Sequence, residues 1–218
     1  MSGSNQSNAP ASAPEKARPS GCVFRSVLRG SVGFGVVSVA GFAVWAFGGR
    51  WLGRHFGEAG LYLACAAVFV GLSGLALRPL VRGPGSLAQF YRIFIPAFAL
   101  YAAAWCAAWF ALGFGAGEWL GSFAGSVVLA AMIGRGLGNI RPLPKASAVV
   151  FTLNSAGYFL GGKSFYWMAS LAGGGPRSGH SSPWPKLCWG LLYGLGVGAG
   201  LGYAFHIFQK DSRPASDV

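Results

Sequence analysis

Charged residues in this chain are confined to short intervals, and six long uncharged runs lie between them. The runs hold 20 residues between Arg29 and Arg50, 19 between Glu58 and Arg78, and 25 between Arg92 and Glu118. Three more hold 16 between Glu118 and Arg135, 17 between Lys145 and Lys163, and 23 between Lys186 and Lys210. A helix rises about 1.5 Å per residue and a bilayer's hydrocarbon core is roughly 30 Å thick, so each run spans or nearly spans it. The expected fold is all-α, a polytopic six-helix transmembrane bundle over residues 23–210.

Composition agrees with that expectation. Hydrophobic residues make up 53% of the chain and charged ones 10%, against about 25% charged in soluble domains. A soluble core could enclose two or three such helices, but not six with so little charge between them. The net charge of +12 would point to nucleic acid in a soluble protein. Here the basic residues sit in the connections, so the expected partner is the lipid bilayer and not nucleic acid.

Cytoplasmic loops of membrane proteins carry the excess of Lys and Arg. Counted along the six runs, twelve basic residues fall on the side of the termini and four (Arg50, Arg54, Arg177 and Lys186) on the other, with Lys163 inside the fifth run. Both termini are therefore expected in the cytoplasm. The tryptophans offer a second signal, because their amphipathic rings favour the membrane boundary. All eight (Trp45, Trp51, Trp105, Trp109, Trp119, Trp167, Trp184 and Trp189) fall in the half opposite most of the arginines. The preference for Arg over Lys and the abundance of Ala and Gly suggest a bacterial plasma membrane.

Residues 1–22, rich in Ser, Asn, Ala and Pro, are expected to form a disordered cytoplasmic tail, and they do not read as a cleaved signal peptide. A short cytoplasmic tail is expected over 211–218. Arg82-Gly83-Pro84-Gly85 reads as a turn, Pro96 as a kink one turn into the third helix, and Gly173 to Pro185 as a mobile outer loop.

Glycine accounts for 36 of the 218 residues. Gly190, Gly194, Gly198 and Gly202 recur at every fourth position of the last run, and Gly157 and Gly161 repeat the spacing in the fifth. Lipid tails give helices no hydrophobic drive to associate, so close packing through small residues takes its place. These ridges are expected to pack the bundle internally, or to serve a homo-oligomer or a partner membrane subunit.

Several motifs fail on inspection. Residues 157–164 match the P-loop pattern G-x-x-x-x-G-K-[ST] letter for letter, but a P-loop needs a soluble strand–loop–helix unit, and none of the five acidic residues is expected at the end of a buried strand to hold Mg²⁺. Serine proteolysis within the membrane would need Ser155 and His206 at one depth, whereas Ser155 is mid-helix and His206 near the inner boundary. A bis-histidine haem between helices needs two intramembrane histidines, whereas His55 and His180 are expected in outer loops. Neither metal nor cofactor is expected, and the chain does not read as an enzyme.

Three polar positions remain. Lys163 is the one charge inside an apolar run, and an intramembrane charge is a functional candidate, although its long stem also allows the ammonium to reach the boundary. Glu118, expected at the same boundary, is its natural ion-pair partner. Asn154 is expected near mid-membrane with Gly157, Tyr158 and Gly161 on its face, at the depth of Gly198. The functional expectation is a small non-enzymatic membrane protein, a carrier or substrate-binding subunit for transport, with a pocket at Asn154, Tyr158 and Lys163. The alternative is an accessory or scaffolding subunit that packs partner helices through its glycine ridges and binds no solute.

Overall fold

In the computed structural model the chain is described over residues 23–81, 86–171 and 182–210, and these contain no strand. The expectations for the two tails, for the Arg82 to Gly85 turn and for most of the Gly173 to Pro185 loop lie outside the described residues. The elements are α1 (Val23–Ala43), a π turn (Val44–Gly48), α2 (Gly49–Leu77), a 3-10 turn (Arg78–Leu80), α3 (Ser86–Leu112), α4 (Ala116–Gly136), α5 (Leu143–Leu171) and α6 (Pro183–Lys210). The first four run on as one helical stretch, so the described chain comprises five stretches.

The first stretch is bent back on itself. Gly57 has φ 67° and ψ −173°, a region open in practice only to glycine. The arms on either side pack antiparallel: the Phe34 and Phe69 rings lie 5.8 Å apart, and Gly33 sits against Ala76 and Leu77. Two further turns also depend on glycines with positive φ. Gly113 and Gly115, at φ 68° and 76°, bracket Phe114 between α3 and α4. Gly138, at φ 72°, ends α4 in a Schellman motif, the Asn139 N–H reaching the Gly134 carbonyl at 2.9 Å. Such short connections make α3, α4 and α5 successive antiparallel neighbours.

Four stretches are long and apolar enough to cross a membrane: Val23–Leu80, Ser86–Leu112, Ala116–Gly136 and Pro183–Lys210. The expected count was six, and the difference has two physical causes. Helical structure runs through the Gly57 reversal, so two arms count as one stretch. Helix α5 falls short because Asn154, Ser155 and Lys163 dilute its apolar residues. Pro96 lies well inside α3, which begins at Ser86, and the helix continues through it.

The helices touch in ring order α1–α2–α3–α4–α5–α6, with α6 closing onto α1 through the most extensive contact in the fold. The four-residue glycine ridge makes that contact. Gly190 faces Phe42, Gly194 faces Phe34, Gly35 and Ser38, Gly198 faces Gly30, and Gly202 faces Ser26. The other side of α6 meets α5, where Gly196 lies on Gly157 and Leu153, and Gly200 on Val150. With no side chain in the way, helix backbones approach to contact on both sides of α6.

Aromatic side chains fill the space that this leaves. Along α3, the stacked rings of Phe90, Phe94, Phe98 and Tyr101 follow one another at 4.9, 5.4 and 6.0 Å. Phe205 of α6 joins the row at Phe90 at 5.9 Å, and Trp105 joins it at Tyr101 at 6.2 Å. The surface is apolar too: Phe110 is 81% exposed and Phe114 78%. Exposed apolar area on this scale, around a glycine-packed interior, fits a hydrocarbon surrounding better than water.

Adding a side chain to the ridge should separate α6 from α1. A Cβ on Gly198 would meet the Gly30 carbonyl and Phe34, so Gly198→Leu is expected to cost about 1–3 kcal/mol through overpacking. Gly162, whose added Cβ would meet nothing within 4 Å, is the control: Gly162→Leu should stay within about 0.5 kcal/mol of the native protein. Equal thermal unfolding of the two variants in detergent would remove the ridge as a determinant of the fold.

Candidate functional site

Asn154 sits mid-way along α5, 1% exposed, turned toward α3 and α4. Its Oδ1 accepts a hydrogen bond from the Tyr101 hydroxyl at 3.1 Å, and its Nδ2 donates to Ser122 Oγ at 2.9 Å. Ser122 and Ser155 hydroxyls pair at 2.7 Å. The Tyr101 and Tyr193 hydroxyls are 2.9 Å apart. Since Tyr101 gives its proton to Asn154, Tyr193 is the donor in that pair. One chain of hydrogen bonds thus runs from α6 through α3 and α5 to α4. A polar group left unpaired in such surroundings would be costly, and here each is satisfied by another.

A second, shorter network lies at the N-terminal end of α4. The Tyr158 hydroxyl donates to Glu118 Oε1 at 2.9 Å. Glu118 Oε2 accepts from the Gly115 N–H at 3.1 Å, capping the first turn of α4. The structure shows no salt bridge between Glu118 and Lys163: the carboxylate is turned toward Tyr158 and the Gly115 amide. Lys163 is exposed, in a groove with Trp119, Phe159 and Leu160 on the outward side of α4 and α5. Of the three residues expected to form one pocket, Asn154 and Tyr158 therefore face inward and Lys163 outward.

Between these networks lies a chamber of about 210 Å³. Tyr101, Tyr158 and Tyr193 line it together with Trp105 and Trp189, while Phe42 and Phe98 form its inner wall. The exposed Cys106 also lines it, so the chamber reaches the surface alongside α3. Helices α5 and α6 create it between them. They touch at Gly157 and Gly196, and one turn further along α5 Gly161 makes room for the Trp189 ring.

Other expectations meet different geometry. Asn154 and Gly198 do not meet, because Gly198 faces α1, and Gly196 and Gly200 are the glycines turned toward α5. The P-loop-like residues 157–164 lie within continuous helix, where the Ser164 hydroxyl is bonded to the Gly161 carbonyl at 2.7 Å. Ser155 is paired with Ser122, whereas His206 Nδ1 lies 3.5 Å from Ser26 Oγ at the other end of α6. No group of three or more His, Cys, Asp or Glu among the described residues could hold a metal ion.

Tyr101, Tyr193, Trp105 and Trp189 are the residues that sequence reasoning missed. The available signal was the i, i+4, i+8, i+11 and i+15 spacing from Phe90 through Tyr101 to Trp105, which places their rings on one face of α3. Comparison with known proteins finds no matching family model, no matching curated protein and no matching solved structure.

Asn154→Leu removes the centre of the longer network at similar volume and leaves Tyr101 paired only with Tyr193 and Ser122 only with Ser155. The expected loss is about 0.6–2 kcal/mol. In a double-mutant cycle with Ser122→Ala, the two losses should fall short of additivity by at least about 0.5 kcal/mol. Strict additivity in detergent unfolding would mean that the Asn154–Ser122 bond contributes nothing.

Proposed function

We propose that this chain is a non-enzymatic, multi-pass membrane protein that binds a small solute in the Tyr101–Tyr158–Tyr193 chamber, as a carrier or a substrate-binding membrane subunit. In this reading both arms of the Val23–Leu80 hairpin cross the bilayer, as do α3, α4, α5 and α6. The termini are cytoplasmic, in a plasma membrane of bacterial type. The chamber then sits in the outer half, beside the tryptophan belt.

The observation that carries the reading is the direction of the phenol hydrogen bonds. Tyr193 donates to Tyr101, and Tyr158 donates to Glu118. Each spends its proton on the protein and keeps lone pairs to offer elsewhere. A solute that donates hydrogen bonds finds acceptors there, and its flat apolar body finds aromatic walls. A volume of 210 Å³ is below the roughly 300–1,000 Å³ of drug-sized pockets, so the solute is small. A small aromatic or heteroaromatic amine has this chemistry, and Trp105 and Trp189 would favour a positive charge on it through their ring faces. The scaffolding alternative has less support, since α1 covers the Gly190 to Gly202 ridge that a partner helix would need.

Binding is tested by quenching of tryptophan emission in the purified protein, titrated with a series of small aromatic amines and their amine-free counterparts. Amines should bind and the counterparts should not. Ala102→Phe, which fills the chamber and removes no hydrogen-bonding group of either network, should abolish binding. Tyr193→Phe or Tyr158→Phe, each removing one hydrogen bond, should weaken it about three- to tenfold. Binding that survives Ala102→Phe unchanged would place the solute elsewhere.

The topology is tested separately by cysteines introduced at Ala59, two residues beyond the Gly57 reversal, and Ile140, in the connection between α4 and α5, both exposed, in a protein lacking native cysteine. An impermeant thiol reagent should label Ala59→Cys in intact cells and spare Ile140→Cys. The reverse pattern would invert the orientation.

A further inference from the structure

A second cavity lies outside the chamber, where the π turn meets the first turn of α6. Its volume is about 700 Å³. Arg50, Arg54, His55 and Lys186 line it, with Trp45 and Trp51 between them. Four groups able to carry positive charge therefore converge on one space.

Lys186 is the informative member. It is 7% exposed, and its ammonium lies 4.8 Å from the centre of the Trp45 ring. A buried charge ordinarily has a counter-charge, yet Lys186 forms no salt bridge among the described residues. A like charge works against it, since Arg50 repels the same ammonium. Glu118 is engaged with Tyr158 and Gly115, and Glu58, beyond the Gly57 reversal, forms no salt bridge with either arginine. His55 uses Nδ1 toward the Trp51 carbonyl at 2.9 Å, which leaves Nε2 for a ligand.

Local backbone structure builds the cavity deliberately. A π turn is rare and recurs at functional sites. Here it occupies Val44–Gly48, the segment that carries Trp45 beneath Lys186 and leads directly into Arg50. In the topology proposed above, only four basic residues lie on the outer side, and Arg50, Arg54 and Lys186 are three of them. Three of the residues that depart from the usual charge bias thus share one cavity.

We propose that this cavity is a binding site for a phosphate-bearing anion, with Lys186 and the two arginines as the charge partners and Trp45 and Trp51 as the walls. Guanidinium forks bind phosphate oxygens in pairs and an ammonium adds a point charge, so the missing counter-charge of Lys186 is supplied by the ligand. The phosphate can belong to a lipid headgroup, which the exposed Phe47, Trp51 and Phe56 beside the cavity would suit, or to a soluble solute.

The test uses the full chain in nanodiscs of phosphatidylcholine, with the midpoint of thermal unfolding read by tryptophan emission. One arm replaces part of the lipid by phosphatidylglycerol. The other adds inorganic phosphate, with sodium chloride at equal ionic strength as the control. A saturable rise in midpoint in the first arm alone identifies a lipid headgroup; a rise with phosphate but not chloride identifies a soluble anion. Either supports the site, provided that Lys186→Met weakens the apparent affinity at least tenfold. Arg50→Gln with Arg54→Gln, at exposed positions that leave the core intact, should do the same and serves if Lys186→Met fails to fold. No response in either arm, a response matched by chloride, or equal responses in the variants would overturn the proposal.

Discussion

Everything in this bundle depends on how closely α6 can approach its two neighbours. In a hydrocarbon surrounding, helices gain little from hiding apolar surface, because lipid tails are as apolar as the helices themselves. What remains is dispersion between well-packed atoms, which falls off steeply with separation. Glycines on opposite sides of α6 allow backbone contact with α1 at Gly30 and Gly35 and with α5 at Gly157. Helix α6 is consequently the most buried of the four candidate spans, with 61% of its most apolar window inside the protein. The other helices are arranged around that seam.

Close contact at one level creates room at another. At Gly157 and Gly196 two backbones meet, but one turn outward the Trp189 ring stands between α5 and α6, seated over Gly161. The aromatic row of α3 approaches from the opposite side and ends at Trp105. The chamber is the gap between these rings, and the three tyrosines are amphipathic enough to border it while sending their hydroxyls into the networks. Asn154 contributes from behind: by accepting from Tyr101 it sets the direction of the Tyr193 proton, and hence which lone pairs face the chamber.

Much of the helical architecture was legible because it follows from one-dimensional facts. Uncharged runs located the helices to within a few residues at most ends, and the four-residue glycine spacing marked the packing face of α6. The partners of that face were not legible. Spacing shows that Gly198 lies on a ridge, but not that the ridge meets α1 while Gly196, two positions away, meets α5. The same limit applies to Glu118. Its sign suggested Lys163 as a partner, yet a phenol on α5 and a turn amide were nearer, and Lys163 pointed away from them. Nor did any motif single out Tyr101 and Tyr193, since aromatic residues are spread through every helix and only tertiary contact distinguishes two of them.

The chamber and the basic cavity share a wall, and this follows from the π turn. Trp45 carries the Lys186 ammonium on its face and packs edge-on against Phe42 at 6.0 Å and Trp189 at 6.4 Å, both of which line the chamber. A regular α-helical turn would rotate the residues before and after it by 100° per position. The wider π turn shifts that register, so Phe42 can face inward while Trp45 and Arg50 border the outer cavity. An anion that drew the ammonium off the indole would therefore remove a contact from a ring that also supports the chamber. A ligand shifts a protein only through a difference in its interactions with two arrangements, and Trp45 is placed to register that difference on both sides.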